Sequence, residues 1–289
     1  MAVKFSRIIQ GCMGWGIWGV DLSENEMTHR IHHCLEQGIT SFDHADIYGD
    51  YTTEASFGNA LSNSNVNRED IEIISKCGIQ YVGKTRTNEI KHYQYDAEYI
   101  VWSAEKSISD LKCDYLDLLL LHRPSPLMRP EEISKAVEKL IAEGKIKAFG
   151  LSNFTPSQTA LVASKNDISA NQIEFSITAL EAMWNGSLDD MMLQGITPMC
   201  WSPLGSVFKE ETEQTIRIHK ELDELTKKYN ATKDQLLLAW ILKHPSGIHP
   251  VIGTSNPERI TNAATAAEIE LSEVDWFKLL VASRGEKVP

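Results

Sequence analysis

Four residues in the first half of the chain have the types needed for acid–base chemistry: Asp43, Tyr48, Lys76 and His122. A tyrosine has a pKa near 10, so Tyr48 is protonated at neutral pH and can donate a proton. A nearby ammonium such as Lys76 is predicted to lower that pKa, and Asp43 can hold Lys76 charged and oriented. His122 can hydrogen-bond to the carbonyl oxygen of a substrate. The four groups suit general-acid catalysis on a carbonyl that receives hydride from elsewhere.

Each of these residues also has an ordinary structural interpretation. Asp43 and Lys76 alone would make a buried ion pair, His122 a satisfied core histidine, and Tyr48 a packing residue. Their recurrence at the ends of successive predicted strands is more informative, because a barrel brings such ends to one rim. The polar strand-end positions are Asp43, Lys76, His122, Ser152, Asn153, Gln172, Trp201, Ser202, Gly253, Thr254 and Ser255.

The elements that position these residues follow from hydrophobic periodicity. Short apolar runs predict strands at residues 7–10, 40–43, 71–76, 116–122, 148–151, 171–174, 198–201 and 249–252. Amphipathic runs predict helices at residues 24–37, 54–61, 97–111, 130–143, 156–163, 188–194, 215–229, 233–243 and 257–267. Strands alternating with helices predict an α/β fold, a (β/α)8 TIM barrel, with a doubly wound open sheet as the alternative.

Local signals support these boundaries. The run 116–121 is apolar except for Asp117, which is typical of a strand buried on both faces. Ser23 and Glu26 fit a capping box at a helix start. Gly38 and Gly144 follow predicted helix ends, where glycine is favoured, and Pro156 and Pro257 suit first helical turns.

Composition limits the function further. The chain has 289 residues, 42% of them hydrophobic and 24% charged, with no linker or repeat, which predicts one domain over residues 1–289. Its net charge of −12 argues against nucleic acid and membrane surfaces as partners. A small-molecule substrate is therefore the expected partner. Five cysteines, none in a C-x-x-C pair, and no apolar run long enough for a membrane span or signal peptide predict a reduced, cytoplasmic protein with no metal site.

The motifs resemble the aldo-keto reductase family over nearly the whole chain. Asp43, Tyr48 and Gly49, followed by Glu54-x-x-x-Gly58, resemble its first signature. Lys76 in the segment 74–77 resembles the lysine strand, and His122 after 118–121 resembles the histidine strand. Segments 150–154, 171–172 and 201–205 resemble the cofactor motifs in family order. The DHADIYG and LLHRP segments, at 43–49 and 120–124, are most similar to those of bacterial oxidoreductases.

The resemblance implies a (β/α)8 barrel that holds NADP(H) and reduces aldehydes or ketones, with Tyr48 as proton donor tuned by Lys76, Asp43 and His122. It assigns the nicotinamide carboxamide to Ser152, Asn153 and Gln172, and ring stacking to Trp201. This fits the chemistry, because hydride transfer needs the ring held in one orientation near the carbonyl carbon. Gly11, Cys12 and Met13 are implied near the nicotinamide ribose, and Ser202 and Leu204 are further implied cofactor-binding positions.

The phosphate end of the cofactor is assigned to the last strand and the helix after it. The segment 253–256, Gly253-Thr254-Ser255-Asn256, offers hydroxyls and N–H groups at a helix start, which favours an anion. Arg259, one turn later, can bind the adenosine 2′-phosphate. Many relatives carry a lysine where this chain has Gly253, so NADH stays open as an alternative cofactor. Their asparagine four residues after the arginine is Ala263 here, and Asn262 is the neighbouring candidate.

A glycine-rich run at residues 14–19 matches G-x-G-x-x-G but does not open a helix, since the helix signal begins at Ser23. It is interpreted as the first strand-to-helix loop, with Trp15 and Trp18 as one apolar wall of the substrate pocket and plain packing as the alternative. Tyr51 and Tyr93 are further pocket candidates. Tyr93 lies in a long polar stretch, residues 80–95, predicted to be a loop that shapes specificity.

Two other functions remain open at this point. A lyase on the same barrel would use Lys76 as a Schiff-base nucleophile and need no nicotinamide. A redox sensor would bind NADP(H) and turn over slowly, as the potassium-channel β subunits of the family are thought to do. The spacing of Asp43 and Tyr48 and the segment around Trp201 favour the reductase over the lyase.

Overall fold

The computed structural model describes residues 3–288, and its centre is a closed barrel of eight parallel strands. The strands in chain order are β1 (Ile9–Gly11), β2 (Ser41–Asp43), β3 (Glu72–Cys77), β4 (Ile79–Gln80), β5 (His92–Tyr93), β6 (Leu116–Leu121), β7 (Ile146–Ser152), β8 (Ala170–Glu174), β9 (Thr197–Trp201) and β10 (His249–Ile252). β4 and β5 form an antiparallel hairpin outside the barrel. The other strands pair in chain order, and β1 closes the ring by pairing with both β2 and β10. This closure confirms the predicted barrel and excludes the open sheet.

Helices surround the barrel. They are α1 (Glu24–Glu36), α2 (Thr53–Ser62), α3 (Ala97–Asp110), α4 (Pro130–Ala142), α5 (Pro156–Ala163), α6 (Glu181–Trp184), α7 (Ser187–Gln194), α8 (Glu213–Tyr229), α9 (Lys233–Leu242), α10 (Pro257–Thr265) and α11 (Glu273–Arg284). Short 3-10 turns cover Met13–Trp15, Arg68–Asp70 and Ala266–Glu268. The Ser23–Glu26 capping box, the left-handed Gly38 and Gly144, and the prolines at the starts of α5 and α10 are present as predicted.

All eight predicted barrel strands and all nine predicted helices are confirmed to within about two residues, while α6, α11 and the β4–β5 hairpin were missed. The hairpin corrects the expectation of a plain loop over residues 80–95. Its strands have two residues each, too few to show an alternation of polar and apolar residues in the sequence. The side chain of Gln80 donates a hydrogen bond of 2.8 Å to that of Gln94. α11 was missed although Ser272 caps it and Asp275 lies in its first turn.

The core has two layers, as a barrel requires. Inside the ring lie the side chains of Ile9, Ile74, Leu118, Leu120, Ala148, Ala170, Met199 and Val251. Larger clusters fill the space between strands and helices. Asp117, the polar residue of β6, is buried and accepts hydrogen bonds from Arg68, Lys147 and the Ile73 amide. Its pairing explains how a carboxylate is tolerated there.

Close packing at Gly58 shows why the Glu54-x-x-x-Gly58 spacing matters to the fold. A Cβ at Gly58 would lie 2.1 Å from the Asp110 carbonyl oxygen at the end of α3. Any side chain would push α2 and α3 apart. α2 follows directly on the Tyr48 turn, so this packing also fixes the segment that carries Tyr48. Within residues 3–288, no helix is long and apolar enough to cross a bilayer.

Candidate active site

The polar residues predicted at strand ends do meet at one rim of the barrel. Asp43 ends β2, Lys76 lies next to the end of β3, and His122 follows β6 directly. The backbone of this rim is continuous, since the Cys12 amide donates to the Asp43 carbonyl and the His122 amide donates to that of Cys77. Parallel strands therefore bring these three residues from distant parts of the chain into one buried group, which Tyr48 joins through its contact with Lys76.

Lys76 is the centre of this group. Its Nζ donates to Oδ2 of Asp43 at 2.7 Å, to the His44 carbonyl at 2.8 Å and to the Tyr48 hydroxyl at 3.0 Å. All three donor positions of the ammonium are used. Asp43 and Lys76 are 2% and 1% exposed, whereas Tyr48 and His122 each keep 9% of their surface exposed. Tyr48 and His122 therefore reach the surface of the rim, whereas the ion pair of Asp43 and Lys76 does not.

The electrostatics keep Tyr48 protonated. Burial raises the pKa of Tyr48 above its ordinary value, and the Lys76 ammonium opposes this only in part. Lys76 therefore lowers the pKa of Tyr48 as predicted, but the loss of solvation, which the sequence did not reveal, outweighs the attraction of the cation. Burial lowers the pKa of Lys76, but Asp43 and Tyr48 outweigh it and raise that pKa overall. Lys76 thus stays an ammonium at neutral pH.

His122 is neutral in this environment. Burial first, and then the charges of Lys76, Arg123 and Lys91, lower its pKa well below the usual value. Its Nδ1 is buried without a hydrogen-bond partner among the described residues. The ring meets that of Tyr48 edge-on, with centroids 6.1 Å apart. The two side chains therefore face the same opening.

The residues assigned to the nicotinamide carboxamide bond to one another across the rim. Ser152 donates to the Gln172 carbonyl at 3.0 Å, and Asn153 Nδ2 donates to the Ser152 hydroxyl at 2.8 Å. The Trp201 indole N–H donates to Oδ1 of Asn153 at 2.8 Å, which fixes the half-buried ring. Gln172 Nε2 donates to the second carboxylate oxygen of Asp43 at 2.8 Å. These four residues and the acid–base group form one network.

The other predicted cofactor-binding positions around the rim differ from one another in burial and in backbone conformation. Gly11 ends β1, and a Cβ there would lie 2.9 Å from the Ile252 carbonyl oxygen. The Cys12 side chain is buried in the core, so only its backbone lies at the rim. Met13 is half-exposed in the following 3-10 turn. Ser202 has a left-handed backbone, and Leu204 is partly buried against both large core clusters.

The predicted phosphate end is open to solvent. Gly253, Asn256 and Arg259 are exposed, and Thr254 and Ser255 are half-buried. Asn256 caps α10 by accepting from the Arg259 amide at 3.2 Å, so its side chain serves the helix. A Cβ at Gly253 would meet no atom within 4 Å. Asn262 is half-buried on the same helix.

Two of the four predicted pocket residues lie beside Tyr48. Tyr51 and Tyr93 pack against the small cluster that contains Tyr48. The Tyr51 hydroxyl is used by the fold, because it donates to the Ile79 carbonyl and accepts from the Tyr81 amide. The Arg86 guanidinium lies 3.6 Å from the centre of the Tyr51 ring.

The two tryptophans of the glycine-rich loop differ in environment. Trp18 is 38% exposed and packs edge-on against Tyr81, with ring centroids 5.2 Å apart. Trp15 is fully buried and contacts the rings of Phe42 and Phe57. Its placement in the pocket wall was therefore wrong, because the 3-10 turn points it into the core. As predicted, the first α-helix begins only after this glycine-rich run, at Glu24 with Ser23 as its cap.

Sequence reasoning missed two residues of this region, Tyr81 and Arg123. Tyr81 lies in the stretch treated as a loop and supports Trp18. Arg123 follows His122, and its Cζ lies 5.5 Å from the centre of the Trp201 ring. The adjacency to His122 was visible in the sequence and could have identified Arg123. The described residues contain no group of three or more His, Cys, Asp or Glu side chains able to hold a metal ion.

The comparison with protein families agrees with this geometry. The aldo/keto reductase family model matches residues 7–280. The chain belongs to the aldo/keto reductase family. Membership confirms the predicted family, and with it the predicted class of enzyme, an oxidoreductase.

Bacterial relatives of this reductase match along almost their whole length. A 6-dehydroglucose reductase of Agrobacterium fabrum is 39% identical over 295 residues, covering 99% of this chain and 97% of that protein. The oxidoreductase YdhF of Escherichia coli is 38% identical over 291 residues, covering 99% and 96%. The predicted similarity to bacterial oxidoreductases is therefore confirmed.

Solved structures support the barrel. A thermostable aldo-keto reductase crystallised with the inhibitor epalrestat superposes with a TM-score of 0.82 at 26% identity, covering 98% of this chain and 99% of that one. An aldo/keto reductase of Klebsiella pneumoniae, in complex with NADP and acetate, gives a TM-score of 0.78 at 24% identity, covering 96% and 93%. The second likeness supports the fold alone.

Proposed function

We propose that this aldo/keto reductase reduces the carbonyl group of a small aldehyde or ketone with NADPH, and that Tyr48 donates the proton. The observation that carries the proposal is the contact between Lys76 Nζ and the Tyr48 hydroxyl, 3.0 Å long, at the solvent-reaching end of a buried ion pair. A phenol beside a fixed cation can release a proton to a forming alkoxide, because the cation stabilises the phenolate left behind.

The residues present fit the nicotinamide cofactor assigned to them. The half-buried Trp201 ring, held by Asn153, offers a flat surface on which a nicotinamide can stack. The exposed start of α10 and Arg259 offer N–H groups and a cation for phosphate. When bound, NADPH supplies the hydride. Ser152, Asn153 and Gln172 would hold its carboxamide.

The protein groups then act on the carbonyl oxygen. Tyr48 and His122 are the two acid–base side chains that reach the opening, so the oxygen lies between them in this proposal. His122 is neutral, and its Nδ1 is buried without a hydrogen-bond partner among the described residues, so the tautomer with the proton on Nε2 leaves no buried N–H unpaired. That N–H donates to the oxygen and orients it. Tyr48 donates its proton as the negative charge develops.

The same geometry disfavours a Schiff-base lyase. A lysine nucleophile must be neutral and must reach the substrate. Lys76 is 1% exposed, paired with Asp43 at 2.7 Å, and has a raised pKa. Two relatives named 6-dehydroglucose reductase support a carbonyl reduction instead.

Fluorescence titration with NADPH and NADH, followed by steady-state assays on a panel of aldehydes and ketones, tests the proposal. We expect quenching of tryptophan fluorescence by NADPH at micromolar concentrations and substrate-dependent oxidation of NADPH. Tight NADPH binding without turnover on any carbonyl would instead support the redox sensor. Absence of nicotinamide binding, together with trapping of Lys76 by borohydride and a carbonyl compound, would support the lyase.

A further inference from the structure

Two cations stand near the opening of the site. Arg123 directly follows His122 in the chain, and its half-buried guanidinium lies over Trp201, with Cζ 5.5 Å from the ring centre. Lys91 is exposed on the hairpin segment between β4 and β5. Both act electrostatically on His122, where they help to lower its pKa. The field at the carbonyl-binding position is therefore shaped by these two charges as well as by Lys76.

Neither cation is neutralised by the protein. Among residues 3–288, no carboxylate lies within 4.0 Å of the charged nitrogens of Arg123 or Lys91. The chain carries a net charge of −12, so acidic groups are plentiful on its surface. Withdrawing a charge from water costs free energy, and an anionic partner offsets that cost. A bound ligand is one such partner.

Arg86, the third cation of this region, is different because its guanidinium is already engaged by side chains of the protein. Its guanidinium stacks on the rings of Tyr51 and Trp102 and donates to the Tyr99 hydroxyl at 3.1 Å. It also acts on the buried Asp46. Arg86 is thus a structural cation, and Arg123 has no comparable set of contacts.

The segment that carries Lys91 is held in place. Asp50, two residues after Tyr48, accepts hydrogen bonds from the amides of Lys84 and Thr85 at 2.7 and 3.1 Å. Asn88 Nδ2 donates to the Tyr81 carbonyl at 2.8 Å, and β5 pairs with β4 immediately after Lys91. The Tyr48 turn therefore anchors this segment, and Lys91 lies two residues before Tyr93, which packs against the cluster that contains Tyr48.

We propose that the substrate of this reductase is an acidic aldehyde or ketone, whose anionic group is bound by Arg123 and Lys91 while its carbonyl oxygen lies between Tyr48 and His122. A guanidinium binds a carboxylate through two parallel hydrogen bonds and so fixes its direction as well as its charge. Arg123 and Lys91 are specificity-determining residues in this view. The inference rests on the proposed function, since it concerns the substrate of the same site.

The test compares acids with their uncharged methyl esters, which share the reacting carbonyl. Suitable pairs are succinic semialdehyde, glyoxylate and carboxybenzaldehyde, each with its ester. We expect kcat/KM to favour the acid in at least one pair by roughly 10- to 100-fold, the range of a hydrogen-bonded charge. Added salt should reduce this preference, because Lys91 is exposed and its charge is screened.

The variants Arg123→Gln and Lys91→Gln test which of the two cations causes the preference for the acid over the ester. Arg123→Gln should abolish it by raising KM for the acid and leaving the ester nearly unchanged, and Lys91→Gln should weaken it. Matched controls are Arg129→Gln and Lys84→Gln, which remove an exposed cation of the same type nearby and should leave the ratio unchanged. Thermal unfolding of each variant shows that the fold is retained.

Three results would overturn the inference. The first is equal kcat/KM for acid and ester in every pair, which leaves the proposed function standing. The second is an equal loss on acid and ester in Arg123→Gln, since Arg123 would then bind something common to both. The third is weakened NADPH binding in Arg123→Gln with an unchanged ratio, which would place Arg123 on the cofactor. An enzyme that reduces neither acids nor esters would contradict the proposed function itself.

Discussion

Gln172 on β8 donates a hydrogen bond to Asp43 on β2 across the barrel, with its Nε2 2.8 Å from Oδ1. Lys76 occupies the other carboxylate oxygen at 2.7 Å. The carboxylate is therefore held between Gln172, which is predicted to bind the cofactor, and Lys76, which is predicted to tune the acid Tyr48. This relationship couples the two halves of the site, and binding of a nicotinamide carboxamide to Gln172 would act on the group that holds Tyr48.

The first prediction concerns Lys76→Met. Removing the ammonium leaves the buried Asp43 charge with Gln172 as its remaining side-chain partner, so we expect a loss of about 3–5 kcal/mol of unfolding free energy. Tyr48 also loses the cation that stabilises its phenolate, so kcat for carbonyl reduction should fall by about 10²–10⁴-fold. Urea unfolding and steady-state kinetics measure the two effects.

A second variant separates stability from chemistry. Adding Asp43→Asn to Lys76→Met removes the unpaired charge, so stability should return in large part while kcat stays low. A normal rate in Lys76→Met, or recovery of the rate in the double variant, would contradict the role given to Lys76.

The second prediction concerns cofactor choice. Arg259 is exposed one turn into α10, where it can reach a 2′-phosphate. Arg259→Ala should weaken NADPH binding by roughly 10-fold or more, the size of a lost charge-assisted hydrogen bond, and leave NADH nearly unchanged. Fluorescence titration with both cofactors measures this. Equal weakening of the two would remove Arg259 from the phosphate.

Gly253→Lys is the converse control for that prediction. A Cβ at this position meets nothing within 4 Å, so the side chain can be added without a clash. The added cation should increase the preference for NADPH over NADH. An unchanged preference would show that the phosphate lies elsewhere.

The third prediction contrasts two tryptophans of one loop. Trp15 is fully buried against Phe42 and Phe57, so Trp15→Ala should cost about 3–5 kcal/mol of stability. Trp18 is 38% exposed beside Tyr81, so Trp18→Ala should change stability little but raise KM for carbonyl substrates. Thermal unfolding and kinetics on both variants check the contrast. A large KM effect in a stably folded Trp15→Ala would contradict the packing role.

The fourth prediction concerns Glu54, which is buried behind the site and accepts from the hydroxyls of Ser75 and Ser107. Burial raises its pKa to about 7. The folded state therefore holds a proton that the unfolded state releases near its usual pKa of 4.5, so the stability contributed by this group is full below that pH and is lost as pH rises through about 7.

Glu54→Gln replaces the carboxyl by an uncharged group of the same shape. Relative to the unsubstituted protein, the variant should gain about 2–3 kcal/mol of stability between roughly pH 5 and 8. Asp46→Asn should show a gain of the same sign, because burial raises the pKa of Asp46 to about 7 as well. Urea unfolding across this pH range measures the gain, and parallel stability curves would contradict a protonated Glu54.

Some features of the fold and the site could be predicted from the sequence, and others could not. The apolar runs and the polar residues after them were enough to predict the barrel and to bring Asp43, Lys76 and His122 to one rim. The orientation of the Trp15 side chain could not be predicted from the sequence, because it depends on contacts with Phe42 and Phe57, which lie in two other elements.

The pKa values and the pairing of charged groups were the hardest properties to predict from the sequence. The sequence gives Lys76 near Tyr48, but not the depth of burial that outweighs the cation and raises the pKa of Tyr48. The lack of a carboxylate partner for Arg123 among residues 3–288 is likewise a tertiary property, because it depends on which side chains the neighbouring loops bring close to the guanidinium.

Tyr48→Phe tests the central claim most directly. The phenylalanine keeps the ring and its packing and removes the hydroxyl that Lys76 contacts at 3.0 Å. We expect kcat for carbonyl reduction to fall by about 10²–10⁴-fold, with NADPH affinity and unfolding temperature nearly unchanged. Retention of a normal kcat by a folded, NADPH-binding Tyr48→Phe variant would contradict the assignment of Tyr48 as the proton donor.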